Sequence, residues 1–179
     1  MTKIGLYYDG EGTSGGVQFS DRWNDLASII DFDPNHSVLD IGCAEGLISF
    51  ELSKRFKTVT AFDSVEHRIK IAKENFEDVK NLHFFTATYR SFKYKMFDQI
   101  FMLGVYHKVK MRKLRIRTLN KILKHCNSTF YFRVPVAPEH VEEDEYMPIF
   151  ENHNFVVNYK SQPRDQHGTL YKFTKTICS

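Results

Sequence analysis

Between Ser37 and Val134 the chain alternates short β-branched or aromatic runs with longer stretches of helical periodicity, and few architectures accommodate that pattern. The first run is "SVLDI", Ser37 to Ile41. A helix from about Gly46 to Arg55 follows, with Leu47, Phe50 and Leu52 at its apolar positions. "TVTAF", Thr58 to Phe62, leads through Asp63 into a helix carrying Ile69, Ala72 and Phe76. "LHFFT" precedes a loop, Ala87 to Lys95, and "FDQIFML" ends before Gly104. Helix Met111 to His125 then leads to "TFYFRV". Strands joined by helical crossovers pair in parallel, so the expected fold is a three-layer α/β sheet with helices on both faces. The end of the chain departs from this. After an acidic helix around Val141 to Glu151, "FVVNYKS" and "LYKFTKT" are joined by "QPRDQHG", too short for a crossover, which predicts a C-terminal antiparallel hairpin.

The 179 residues fit one domain, 1–179, with a core large enough to fold without disulfides or metals. Its start is different in character. "YYDGEGTSGG", Tyr7 to Gly16, cannot build a packed element, so residues 1–19 read as a mobile segment. A helix is expected next, with Ser20 as its cap, Asp21 in its first turn, and Trp23, Leu26, Ala27 and Ile30 on one face before Pro34. A hydrophobic fraction of 42% and a charged fraction of 26% exclude a disordered or fibrous chain. Cys43, Cys126 and Cys178 are odd in number and far apart, and the eight histidines lack metal-ligand spacing; a reducing, cytoplasmic setting without a metal site is expected. No apolar run approaches the ~20 residues of a membrane span.

The first strand runs into "GCAEG", where Gly42, Ala44 and Gly46 recur every second residue. Ligands of open parallel sheets sit beyond the carboxyl ends of the strands. Small residues there let the backbone approach a ligand, and the following helix presents N–H groups suited to a carboxylate or phosphate. Several nucleotides fit that description, but the Gly-x-Gly-x-x-Gly spacing of a dinucleotide site is absent.

"VLDIGCAEG" resembles the first motif of class I S-adenosylmethionine-dependent methyltransferases, an acid, one residue, then Gly-x-Gly-x-Gly, with Ala44 at the middle glycine. In that family an acid at the end of the second strand grips the cofactor's ribose; Asp63, in "VTAFDS", matches it, with Ser64 beside it. An acid often reads the adenine in the third motif, whereas "FFTATYRSF" has Thr88 there, followed by Tyr89, whose ring could pack on the base. "FDQIFMLGVYHKV" is similar to the family's Phe-Asp…Leu-Gly-Val-x-His pattern, found in many small-molecule and some RNA methyltransferases. The resemblance spans roughly Val17 to Val134. It implies a Rossmann-like fold, S-adenosyl-L-methionine as cofactor, and cofactor contacts at Asp40, Gly42, Cys43, Ala44, Gly46, Asp63, Ser64, Thr88, Tyr89 and Leu103. Asp40 and the Leu103 carbonyl would receive the ammonium. Cys43 itself reads as a small buried thiol rather than a nucleophile.

Methyl transfer is an in-line displacement, so the protein mainly positions the nucleophile and excludes water. His107 is the best-placed base for an acceptor oxygen or nitrogen, and Tyr106 and Tyr89 come next. There is no Asn/Asp-Pro-Pro-Tyr/Phe after the fourth strand, against one type of base-amino methylation. No cysteine ends the fourth or fifth strand, against covalent carbon-5 chemistry. The expected acceptor is therefore a small molecule or RNA, the alternative being a non-catalytic cofactor- or partner-binding module. Residues before Ser20, Ala87–Lys95 and Pro135–Glu145 are expected to build the acceptor site and to be mobile without ligand. Lys110, Lys113, Arg117, Lys121 and Lys124 form one helical stripe, a solvated face or a seat for an anionic partner such as a phosphorylated metabolite or RNA.

Overall fold

A computed structural model describes residues 19–135, 141–162 and 168–176. Residues 1–18 of the expected mobile segment and 136–140 of the expected acceptor segment lie outside them. The elements are α1 Phe19–Ala27, β1 Ser37–Ile41, α2 Leu47–Ser53, β2 Thr58–Asp63, α3 Glu66–Asn75, β3 Leu82–Thr86, β4 Phe97–Leu103, α4 Arg112–Leu123, β5 Cys126–Val134, α5 Glu143–Asn152, β6 Phe155–Lys160 and β7 Thr169–Lys175. One seven-stranded sheet has the order β3-β2-β1-β4-β5-β7-β6. The pairs from β3 to β5 are parallel, and β7 is antiparallel to both β5 and β6.

Strand alternation divides the core. On one face Leu39, Ile41, Ile100, Met102, Phe130 and Phe132 pack with apolar residues of α4 and α5. On the other, Val38, Val59, Ala61, Phe101 and Tyr131 pack with α1, α2 and α3. Central strands buried on both faces read as continuous apolar runs, which is why their sequences show no alternation.

Two boundaries differ from expectation. Helix α1 begins at Phe19, so Ser20 lies in its first turn and does not cap it. Strand β5 begins at Cys126, earlier than "TFYFRV", because Cys126 pairs with Phe97 before a register shift. The crossover from β3 to β4 contains no helix, yet it is packed. Phe92 stacks on Phe62 with centroids 4.4 Å apart, and Tyr89 and Tyr94 meet the same ring edge-on. Three aromatic side chains thus fill the place of a helix in the Ala87–Lys95 loop. Among the described residues no helix is long and apolar enough to cross a membrane.

Candidate active site

The connections from β1 lead to β2 and β3 on one side, while β4 and β5 lie on the other, so strand order reverses between β1 and β4. A crevice opens beyond the carboxyl ends of strands at such a point. The small-residue loop lies there. Gly42, Ala44 and Gly46 have φ of 75°, 49° and 86°, so all three spaced residues are left-handed. At Gly42 a Cβ would lie 2.4 Å from Val105 Cγ1, and at Gly46 one would lie 2.6 Å from Phe84 Cζ. Only glycine fits either place. The amides of Gly42 and Cys43 both donate to the Phe62 carbonyl, at 2.8 and 3.1 Å, which ties the loop to the end of β2.

Asp40 is 3% exposed and accepts a 2.6 Å hydrogen bond from the Ser49 hydroxyl of α2. Burial raises its pKa to about 6; the Ser49 bond opposes the rise and the charge of Asp63 adds to it. Asp63 is 8% exposed, and its two oxygens accept from the amides of Ala44, at 3.1 Å, and Val65, at 2.9 Å. Each oxygen keeps a further acceptor position. Among the described residues neither carboxylate has an ion-pair partner. Two buried carboxylates at neighbouring strand ends, with no cation between them, suit a ligand that brings a cation and hydroxyl donors.

The remaining expected contacts are distributed around this centre. Cys43 is buried, which pushes its thiol pKa well up, in keeping with an inert thiol. Ser64 is exposed just past Asp63, and Leu103 is partly buried at the end of β4. The Thr88 hydroxyl accepts from the amides of Arg90 and Ser91, at 3.3 and 3.2 Å, so in this structure it organises its own turn. Tyr89 spans the crevice instead. Its hydroxyl donates to the Val105 carbonyl at 3.3 Å, and burial, with the charge of Asp63, raises its pKa to about 12.

His107 is half-buried in the single turn Tyr106–Lys108 that follows β4. Tyr106, its neighbour, is 0% exposed and packs in the core between β5 and α5. Its hydroxyl donates to Glu145 Oε1 at 3.0 Å. Arg115 grips the same carboxylate through Nε and Nη2, both at 2.7 Å, and Arg112 approaches at 3.2 Å. Burial and the Glu145 charge raise the tyrosine pKa. Burial also acts to raise that of Glu145, but the bonds from Arg115 and Tyr106 outweigh it and leave the carboxyl low. Tyr106 therefore anchors the turn bearing His107, and the sequence reading of it as a base does not fit a fully buried, committed hydroxyl.

Sequence reasoning missed Ser49, Glu145 and Arg133. Ser49 follows the motif as an ordinary helix residue, and Glu145 is hidden in the acidic run "EHVEEDE". Arg133 did leave a signal, a lone charge inside the apolar run "TFYFRV".

A family model for a methyltransferase domain matches residues 38–127, half of the chain. No curated protein matches in a sequence comparison. Among solved structures, the chain is similar to the N-methyltransferase NodS from Bradyrhizobium japonicum WM9 in complex with S-adenosyl-l-homocysteine. The identity is 15%, with 99% of this chain and 100% of that one covered, at a TM-score of 0.75. Magnesium protoporphyrin IX methyltransferase from Synechocystis PCC 6803, with bound SAM, has 15% identity, coverage of 98% and 93%, and a TM-score of 0.73. An amino pentose methyltransferase from Micromonospora echinaspora, also SAM-bound, has 12% identity, coverage of 98% and 98%, and a TM-score of 0.72. The matched segment runs from β1 into β5 and contains Asp40, the small-residue loop, Asp63 and His107. The chain belongs to the methyltransferase-domain family, as a class I member with the Rossmann-like fold.

Proposed function

We propose that this chain transfers a methyl group from S-adenosyl-L-methionine to an oxygen or nitrogen of an acceptor. The observation that carries the reading is the pair of buried, cation-free carboxylates, Asp40 and Asp63, around the Gly42–Gly46 loop. The solved relatives with SAM or S-adenosyl-l-homocysteine support the choice of cofactor. Asp40 and the Leu103 carbonyl would hold its ammonium, and Asp63 its ribose hydroxyls. When bound, the cofactor would supply an electrophilic methyl group for the acceptor. His107 takes the proton that the acceptor atom releases. Tyr89 and Val105 narrow the crevice and exclude water.

Incubation with methyl-labelled cofactor and fractionated cell extract tests this. Label should appear in an acceptor fraction with the native chain and be lost with Asp63→Ala. Binding of the demethylated product without transfer to any fraction would favour the non-catalytic module.

RNA is the second acceptor reading. Lys110, Lys113, Arg117, Lys121 and Lys124 are all exposed, and none has an acidic partner within ion-pair distance among the described residues. Lys121 lies over the Tyr94 ring, 4.7 Å from its centroid, so the stripe runs into the aromatic loop. Reversing charge at Lys113, Arg117 and Lys121 should abolish salt-sensitive RNA binding with cofactor affinity intact. No RNA binding by the native chain at low salt would remove this reading.

A further inference from the structure

Arg133 stands at the carboxyl end of β5, one residue before the strand finishes, and is 7% exposed. Strand alternation places it with Tyr131 on the sheet face covered by α1. Its register neighbours are Leu103 of β4 and Leu170 of β7. The Gly104 amide donates to the Arg133 carbonyl at 3.0 Å, so the residue borders the crevice where β4 ends. Gly104 leaves that border open, because a Cβ built there meets nothing within 4 Å.

A guanidinium in such a place is costly unless something answers its charge. Here Nε is buried without a hydrogen-bond partner. Burial lowers its pKa to about 10; Asp25 of α1 opposes this and Arg22 of α1 adds to it. Arg22 and Asp25 are both half-buried. The Arg133 Nε–H is thus a buried donor without an acceptor at the carboxyl end of β5. An apolar residue would serve packing between Leu103, Leu170 and Tyr131 better, so the charge has a different use.

We propose that Arg133 is the acceptor-anchoring residue, and that the acceptor is a small molecule carrying a carboxylate or phosphate which the planar guanidinium holds beside the Leu103–Gly104 crevice. This rests on the methyltransferase reading and narrows its substrate class. It also accounts for the burial of the anchor, since an oxyanion reaching it leaves bulk water and gains strength from the low dielectric.

The test titrates inorganic phosphate and, separately, acetate into the native chain, Arg133→Met and Arg133→Lys, with and without S-adenosylhomocysteine. The Arg133 Nε–H resonance, identified by its loss in Arg133→Met, and melting temperature relative to equal ionic strength of sodium chloride are followed. One anion should shift the native resonance saturably and raise the melting temperature. Arg133→Met should bind it about tenfold or more weakly, from the loss of a charge-assisted bond, and Arg133→Lys should recover only part. Both variants should melt no lower than the native chain without anion and bind S-adenosylhomocysteine equally well. Which anion responds separates a phosphate-bearing from a carboxylate-bearing acceptor. Absence of any anion response, or an equal response in Arg133→Met, overturns the proposal. If S-adenosylhomocysteine itself fails to bind the native chain, the methyltransferase reading falls, while the anion titration still decides whether Arg133 holds an oxyanion.

Discussion

The Ser49 hydroxyl donates to Asp40 at 2.6 Å, the one side-chain hydrogen bond to this carboxyl among the described residues. That single bond does not offset burial, and the carboxyl rises from 3.8 to about 6. The folded chain thus holds a proton that the unfolded chain has already released between about pH 4 and 6. Stability falls as pH rises through that window, by about 3 kcal/mol once above it. Asp40→Asn keeps the Ser49 bond and removes the penalty. Its melting temperature should exceed that of the native chain at pH 8, with the gap closing at pH 4. A variant no more stable at pH 8 would show that Asp40 is not penalised by burial.

The same carboxyl should make ligand binding pH-dependent. A cation is held only by ionised Asp40, so affinity for S-adenosylhomocysteine should weaken about tenfold per pH unit below pH 6. Calorimetry in buffers of different ionisation enthalpy should detect proton release on binding near pH 6. A flat affinity from pH 5 to 8 would separate Asp40 from the ligand ammonium.

Ala44 is left-handed at φ 49°, where an L side chain costs about 1–2 kcal/mol. Ala44→Gly relieves that strain and loses part of the gain to unfolded-chain entropy, leaving a net stabilisation of up to about 1 kcal/mol. Denaturant melts should show it, with cofactor-product affinity unchanged. Gly42→Ala should do the reverse, since its Cβ meets Val105 at 2.4 Å. It should both destabilise the chain and weaken binding.

Glu145 joins α5 to the turn after β4 and to α4 through Tyr106, Arg112 and Arg115. Glu145→Ala leaves the buried Tyr106 hydroxyl without its acceptor and Arg115 with only its bonds to the Val109 and Lys110 carbonyls, and should cost about 3–5 kcal/mol in urea unfolding. Because the folded carboxyl is held low, its contribution is present above the ordinary carboxylate pKa and disappears as pH falls through the folded value. The stability difference between Glu145→Ala and the native chain should therefore shrink in acid.

Strands β1 and β4 coincide with the apolar runs read from the sequence, because residues buried on both faces leave a continuous hydrophobic signal. The loop at Gly42 was legible because a left-handed, sterically closed position leaves glycine as its trace. Contacts between distant segments leave no such trace. Tyr106 and Glu145 meet across 39 residues, so an apparent base after β4 proved to be an anchor. Thr88 sits where an adenine reader is expected, and its hydroxyl satisfies local amides that no motif displays. Arg133 was visible only as a charge out of place. Its neighbours come from β4, β7 and α1, which only the fold brings together.

Calorimetric titration of S-adenosylhomocysteine into the native chain and Asp63→Ala, near pH 7.5, tests the central claim most directly. Asp63 already holds the Ala44 and Val65 amides, so its removal loosens the loop and deletes the acceptor for the ribose hydroxyls. Two lost charge-assisted hydrogen bonds are worth about 3 kcal/mol or more, so affinity should fall about a hundredfold or further. Saturable binding by the native chain at one site, weakened to that extent in Asp63→Ala with the variant still folded, is the predicted result. No binding by the native chain, or equal affinity in the two, would contradict the account.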